Sequence, residues 1–358
     1  MKSAKKSKLK LQKKNISRRK STSPFAKPAN IFVTGGTGFI GTKLVNALVE
    51  KGHTVHVLQR SSSNTDGLNH PRIKLVKGDI TNPESLIEGM KGCTQVYHLA
   101  GYPRNWSKDP TVYAKVNIDA THSVFEAAKK NKVQRVLFVS SIVTLGPSHP
   151  GEVRNEGMVR TTSHYFTEYE RTKAIAEADA LRLAKEGFPV LVVLPTRVYG
   201  PGKLTEGNSV SLMIDQYDRG LIPIQLNHGV NVGNYVFIDD LVHGFILAME
   251  RGKVGERYIL GGENASLSRI FELADEVSRK KHFQFNMPPR LAMFYAGVQE
   301  FAAKKFGIYP QITPPWIETF LQDWAYSCAK AEKELGYTVT PLKEGIRTTY
   351  EWIVQNRN

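Results

Sequence analysis

The stretch Ile31-Phe32-Val33-Thr34-Gly35-Gly36-Thr37-Gly38-Phe39-Ile40-Gly41 decides the fold of this 358-residue chain. A short apolar run ends at Thr34, and an amphipathic pattern, Gly41–Lys51, begins at the last glycine. The glycines at 35, 38 and 41 permit a tight turn and let backbone approach a pyrophosphate resting on the helix N-terminus. Gly41 would let that helix pack closely on the sheet. A glycine triplet alone is weak evidence; a strand before it and a helix after it give it weight.

Further along, strand-like runs occupy Ile31–Thr34, Thr54–Leu58, Ile73–Val76, Gln95–Leu99, Arg135–Ser140 and Val190–Pro195. Helical patterns lie between them at Gly41–Lys51, Pro83–Met90, Tyr113–Lys130 and Tyr165–Glu186. Strands alternating with helices imply βαβ units and a doubly wound parallel sheet covered on both faces. With 41% hydrophobic and 23% charged residues the chain can build a sizeable core, which excludes a wholly disordered protein. No apolar run approaches the ~20 residues of a membrane-spanning helix. Cys93 and Cys328 make neither a disulfide framework nor a zinc pattern, so no metal and a reducing compartment are expected.

Of the net charge of +16, +11 sits in residues 1–30, leaving +5 for the rest. The high isoelectric point therefore describes a tail, expected to be disordered over residues 1–29, and no specific nucleic-acid partner is expected. The tail has no apolar segment of a secretory signal. It reads as an organelle transit segment, a nuclear-type signal, a patch that contacts anionic surfaces, or a plain solvated extension. A cytoplasmic location is expected, with organelle targeting as the alternative.

Tyr169-Glu170-Arg171-Thr172-Lys173 sets a phenol and an ammonium four residues apart on one helix face. A nearby cation favours phenolate, which would draw the tyrosine down from its usual ~10 toward neutrality. Tyr326 and Lys330 repeat the spacing, but only the first pair follows both a glycine turn and a serine-ended strand.

The Gly-x-x-Gly-x-x-Gly spacing, one residue wider than the dinucleotide fingerprint, resembles the short-chain dehydrogenase/reductase superfamily. Thr34–Gly41 as a whole is similar to its extended branch, the NAD-dependent epimerase/dehydratase family. The resemblance runs from about Asn30 to the C-terminus, through Val236–Asp240, Tyr258–Gly262 and Ala331–Tyr337. His98–Gly101, Trp106, Ser140–Ser141 and Pro195–Gly202 look most like dihydroflavonol-reductase-like and 3β-hydroxysteroid-dehydrogenase-like members.

This resemblance implies a Rossmann domain over 30–202 plus 234–262 and a smaller, mainly helical substrate region over 203–233 plus 263–358. It implies cofactor contacts at Gly35, Thr37, Gly38, Phe39, Ile40, Gly41, Asp79, Ile80, Leu99, Ala100, Gly101, Asn117 and Pro195. It also implies a catalytic set of Ser141, Tyr169 and Lys173, with Lys173 holding the nicotinamide ribose as well. A packing role remains open for Asn117, and His98 reads as a packed histidine. No acid stands between Lys51 and Thr65, where NAD-binding relatives place one, and Arg60 with three serines occupies the end of the second strand. That favours NADP(H) over NAD(H).

The expected activity is an NADP(H)-dependent oxidoreductase interconverting a carbonyl and a secondary alcohol on a small organic molecule. An NAD-dependent nucleotide-sugar epimerase or dehydratase is the alternative, and a non-catalytic dinucleotide-binding sensor or assembly subunit the second. Three departures count against a sugar-nucleotide enzyme: Leu145-Gly146 in place of Tyr-Gly, Gly233 and Asn234 where a phosphate-gripping arginine is common, and no Asp-Glu pair after Ser141. The substrate is not legible, and a homodimer is left open.

Overall fold

The computed structural model describes residues 23–222 and 224–357. Twelve strands are assigned in it: β1 (Asn30–Thr34), β2 (Thr54–Gln59), β3 (Ile73–Lys77), β4 (Gln95–His98), β5 (Arg135–Val139), β6 (Val190–Pro195), β7 (Arg197–Tyr199), β8 (Ile224–Leu226), β9 (Val232–Phe237), β10 (Arg257–Leu260), β11 (Glu263–Ser266) and β12 (Phe285–Met287). Seven form one sheet in the order β10-β6-β5-β4-β1-β2-β3, and every pairing in it is parallel. The order reverses between β1 and β4, which opens a crevice at the carboxyl ends of the strands.

Period-two burial explains why both faces are covered. Ile31 and Val33 of β1 point into one core while Phe32 points into the other. Leu191 and Val193 of β6 join the first core, and Val190, Val192 and Leu194 the second. Helices α1 (Phe39–Glu50) and α6 (Ile238–Arg251) cover the first face. The second is covered by α2 (Pro83–Gly89), by α3, which runs Thr111–Ala114, a π-turn Lys115–Asp119 and Ala120–Lys130, and by α4 (Glu168–Lys185).

The later helices are α5 (Ser209–Asp218), α7 (Leu267–Ser278), α8 (Pro289–Phe306), α9 (Pro314–Phe320), α10 (Ala329–Leu335) and α11 (Leu342–Gln355). They are accompanied by small sheets, β11-β9-β7 and β12-β8. Within the 234–262 segment assigned to the Rossmann domain, β9 pairs with β7 and β11 in a separate small sheet, while α6 and β10 pack with the large one.

Residues 1–22 of the basic tail lie outside the described residues. Ser23–Ala29 pack against the amino ends of β4 and β5: Gln95 donates to the Phe25 carbonyl (3.2 Å) and Arg135 stacks over the Phe25 ring (4.8 Å). The apolar Phe25 ring is half-buried there.

Candidate active site

Steric necessity fixes the glycine turn. Gly35 has φ +73°, and a Cβ there would lie 2.8 Å from the Ala100 backbone nitrogen. Gly41 is tighter: a Cβ would fall 2.0 Å from the Gly35 carbonyl oxygen and 2.7 Å from Gly36 Cα. Its space is filled by the turn's own backbone rather than by the sheet, as the sequence had suggested. Gly38 donates to the Gly35 carbonyl (3.1 Å), and the Thr42 hydroxyl donates to Gly36 (3.3 Å). Gly38 itself stands at the N-cap of α1 with no side-chain cap, so the amides of that first turn suit an anion. A backbone cradle closed to a single methyl, beside an uncapped helix start, fits a dinucleotide pyrophosphate. Phe39 and Ile40 open α1, and Thr37 lies within the turn.

At the end of β2, Arg60 donates its backbone N–H to the Ser63 hydroxyl (3.0 Å), and the Ser63 amide donates back to the Arg60 carbonyl (3.0 Å). The Arg60 side chain is exposed. After β3, burial raises the Asp79 carboxyl, but hydrogen bonds from the Thr81 amide (2.9 Å) and hydroxyl (2.7 Å) outweigh it. With the fields of Arg60 and Lys115 they hold Asp79 below its usual range. Arg60 and Asp79 are thus electrostatic neighbours, with Ile80 beside them. Leu99, Ala100 and Gly101 follow β4, and Pro195 closes β6.

Ser141 follows β5 and caps a 3-10 turn, its hydroxyl accepting from the Val143 amide (3.4 Å). Tyr169, in the first turn of α4, faces the Ser141 hydroxyl and is half-buried. Desolvation pushes the phenol up to about 12, with the nearby Ser141 hydroxyl opposing it. The expected downward pull of Lys173 on Tyr169 is therefore not met. That ammonium is buried, donates to the Val139 carbonyl (2.7 Å), and lies 4.5 Å over the Phe138 ring. Burial lowers Lys173 to about 8, opposed by the field of Glu177.

A buried lysine with a depressed pKa loads the fold with strain that can be measured. Between about pH 8 and its unfolded value of ~10.4, the unfolded chain holds a proton the folded one has released, so this group makes stability rise with pH. Lys173→Met is expected to be more stable than wild type at pH 7 by about 2 kcal/mol, after subtracting the lost Val139 bond. The gap should close by pH 10.5 in urea unfolding across pH, and a destabilised variant at pH 7 would contradict it.

Sequence reasoning missed Glu177. It sits one turn beyond Lys173, 3% exposed, and accepts from Ser140 (2.6 Å), Thr144 (2.8 Å) and Arg257 (3.1 Å). It braces both sides of Ser141. The Tyr-x-x-x-Lys-x-x-x-Glu spacing was the available signal, since i, i+4 and i+8 share a face. Tyr326, the decoy, is also close: its buried hydroxyl donates to the Ile142 (3.3 Å) and Gly146 carbonyls. It supports the turn after Ser141, while Lys330 pairs with Glu256 (2.6 Å).

Asn117 lies buried in the π-turn of α3. Its side chain accepts from the Tyr102 amide (2.8 Å) and donates to the Thr172 hydroxyl (3.0 Å), so the amide is used in packing. Its carbonyl accepts from Thr121 (2.8 Å), whose hydroxyl meets His98 Nε2 (3.1 Å), while His98 Nδ1 meets Thr34 (2.7 Å). Burial and the Lys173 charge lower His98 to about 3, so it is a neutral, satisfied histidine. Asp109 caps the start of α3 through Thr111 (2.9 and 2.6 Å). Among the described residues no cluster of His, Cys, Asp or Glu could hold a metal ion.

Comparison with known proteins gives this geometry its context. The sequence profile of the NAD dependent epimerase/dehydratase family matches residues 31–261. A dihydroflavonol 4-reductase candidate from Synechocystis sp. is 30% identical, the match covering 90% of this chain and 93% of that protein. The mouse decarboxylating sterol-4-alpha-carboxylate 3-dehydrogenase is 26% identical, with 92% of each chain covered. Among solved structures, a UDP-glucose 4-epimerase from Thermotoga maritima superposes with TM-score 0.76 at 25% identity, over 91% of this chain and 99% of that one.

Proposed function

Because the chain belongs to the NAD dependent epimerase/dehydratase family, whose members act on CH–OH and C=O groups with a nicotinamide dinucleotide, we propose that it is an NADP(H)-dependent oxidoreductase. It interconverts a carbonyl and a secondary alcohol on a small organic molecule. The observation that carries this reading is the half-buried phenol of Tyr169, set beside Ser141 and, with its pKa raised to about 12, protonated throughout the neutral range. Such a group is an acid in the reductive direction: Ser141 orients the substrate oxygen, and Tyr169 gives it a proton.

The turn Gly35–Gly41, with Thr37, Phe39 and Ile40, would hold the pyrophosphate, and Asp79, Ile80 and Leu99–Gly101 the adenosine side. Pro195 would border the nicotinamide and Lys173 would hold its ribose. The bound cofactor supplies the hydride. Glu177 keeps Ser140 and Thr144, and hence Ser141, in place. Asn117 acts through Thr172, as a positioning residue.

The NADP preference rests on Arg60, exposed beside a strand end that lacks an acid. Its guanidinium would make charge-assisted bonds to a 2′-phosphate that NADH lacks. At ~1.5–3 kcal/mol for bonds to a charged group, Arg60→Ala should weaken NADPH binding by roughly one to two decades and leave NADH nearly unchanged. Salt should shrink the preference, since the site is exposed. The test is a fluorescence titration of both cofactors, with a cofactor-oxidation screen of ketones, aldehydes and sugar nucleotides. Equal weakening of both cofactors would refute the NADP assignment. Retention of NAD through purification, with no net NADPH consumption, would move the reading to the epimerase alternative.

A further inference from the structure

Helix α8 is built inside out. Its buried residues are alanines, Ala292, Ala296 and Ala303, and the first two join only a small satellite core with Ile317, fringed by half-buried Met287, Ile312 and Trp316. At 3.6 residues per turn the opposite side carries Leu291, Phe294, Val298 and Phe301, and these are exposed, Phe294 by 72% and Phe301 by 62%. The segments flanking the helix add Phe283 and Phe285 before it and Ile308 after it, all exposed. A helix that faces water normally turns such residues inward; a contiguous apolar face of this kind marks a binding surface.

Charge names the occupant. Between residues 279 and 309 stand Arg279, Lys280, Lys281, Arg290, Lys304 and Lys305, against Glu300 as the one acid; Lys304 pairs with Glu300 (2.9 Å) and Lys280 with Asp218 (2.9 Å). A second copy docked on this face would set cations against cations. Aromatic and aliphatic side chains fringed by long cationic ones are what an anionic lipid surface accepts, rings at headgroup depth and ammonium groups reaching the phosphates. The charges rule out crossing: no helix among the described residues is long and apolar enough to span a membrane.

We propose that the outer face of α8, with Phe283 and Phe285, is an interfacial site that seats this protein on an anionic phospholipid bilayer. The face leads directly to the crevice rim. Just beyond α8, Tyr309 packs edge-on against Trp106 (5.8 Å) and lies 5.7 Å from the Arg104 guanidinium. The same loop reaches the Asn117 packing through the Tyr102 amide. The basic residues at the chain's start add attraction of the same sign.

The test is cosedimentation of the full chain with vesicles of phosphatidylcholine alone and of phosphatidylcholine doped with phosphatidylglycerol, together with sizing by analytical ultracentrifugation. The wild-type chain should bind the doped vesicles and bind the neutral ones far less. The double substitution Phe294→Ser with Phe301→Ser should cut binding by about tenfold or more. NADPH affinity, measured by fluorescence, should be unchanged and reports that the variant is folded. Undiminished vesicle binding by that variant would overturn the proposal, because the basic tail alone would then account for attachment. It would also be overturned by a wild-type chain that ignores vesicles, whether monomeric or an oligomer that the double variant dissociates.

Discussion

Tyr169→Phe should cut turnover by about 10²–10⁴-fold, the usual share of a positioned general acid, while NADPH binds as before. The ring stays to fill its place in the packing. What goes is the hydroxyl that faces Ser141, whereas the glycine turn and Lys173 are untouched. A steady-state assay on any substrate found by the cofactor screen, paired with a cofactor titration, separates the two effects. Turnover within a factor of three of wild type would refute the assignment of Tyr169. Tyr326 could not take over, since its hydroxyl is committed to the carbonyls of Ile142 and Gly146.

A comparable loss, by a different route, is expected from Gly41→Ala. The added methyl would stand 2.0 Å from the Gly35 oxygen and 2.8 Å from the Gly35 carbonyl carbon. Both are backbone atoms, and neither can swing away like a side chain. Either α1 slides or the turn opens, at a cost of about 1–3 kcal/mol typical of overpacking. Either movement spoils the cradle, so NADH and NADPH affinity should fall together by on the order of 100-fold, about 2.7 kcal/mol of binding. Chemical denaturation and the same titration check both halves. Unchanged cofactor affinity would show that the crowded turn is not where the dinucleotide lies.

These two variants rest on features legible in the sequence, and the reason is locality. The glycine turn joins a strand and a helix adjacent in the chain, and Tyr169 and Lys173 meet by helical spacing alone. The parallel sheet followed from alternation, because strands buried on both faces must read as apolar runs. What stayed hidden depends on distant partners. The pairing of β9 with β7 and β11 in a separate sheet is set by tertiary packing. The role of Glu177 depends on Ser140 and Thr144, 37 and 33 residues away in the chain. The fall of the Tyr169 phenol was misjudged because spacing supplies a cation but says nothing about burial. The inversion of α8 was equally hidden: hydrophobic periodicity gives a stripe, and only the fold shows which way the stripe faces.

The hydrogen bonds linking Thr34, His98, Thr121, Asn117 and Thr172 have a mechanical consequence. They run through the packed second face from the strand that carries the glycine turn, by way of α3, to the helix that carries Tyr169, and the Thr172 hydroxyl donates back to the Glu168 (2.7 Å) and Tyr169 (3.2 Å) carbonyls. Sliding α3 against β4 or α4 would leave buried donors without acceptors, each at a cost of about 1–3 kcal/mol. Strand β1, α3 and α4 are therefore locked together as one rigid wall, with the glycine turn and Tyr169 held in register on it. Any opening that admits or releases ligands is then left to chain outside this network, and the rate of exchange would be governed there.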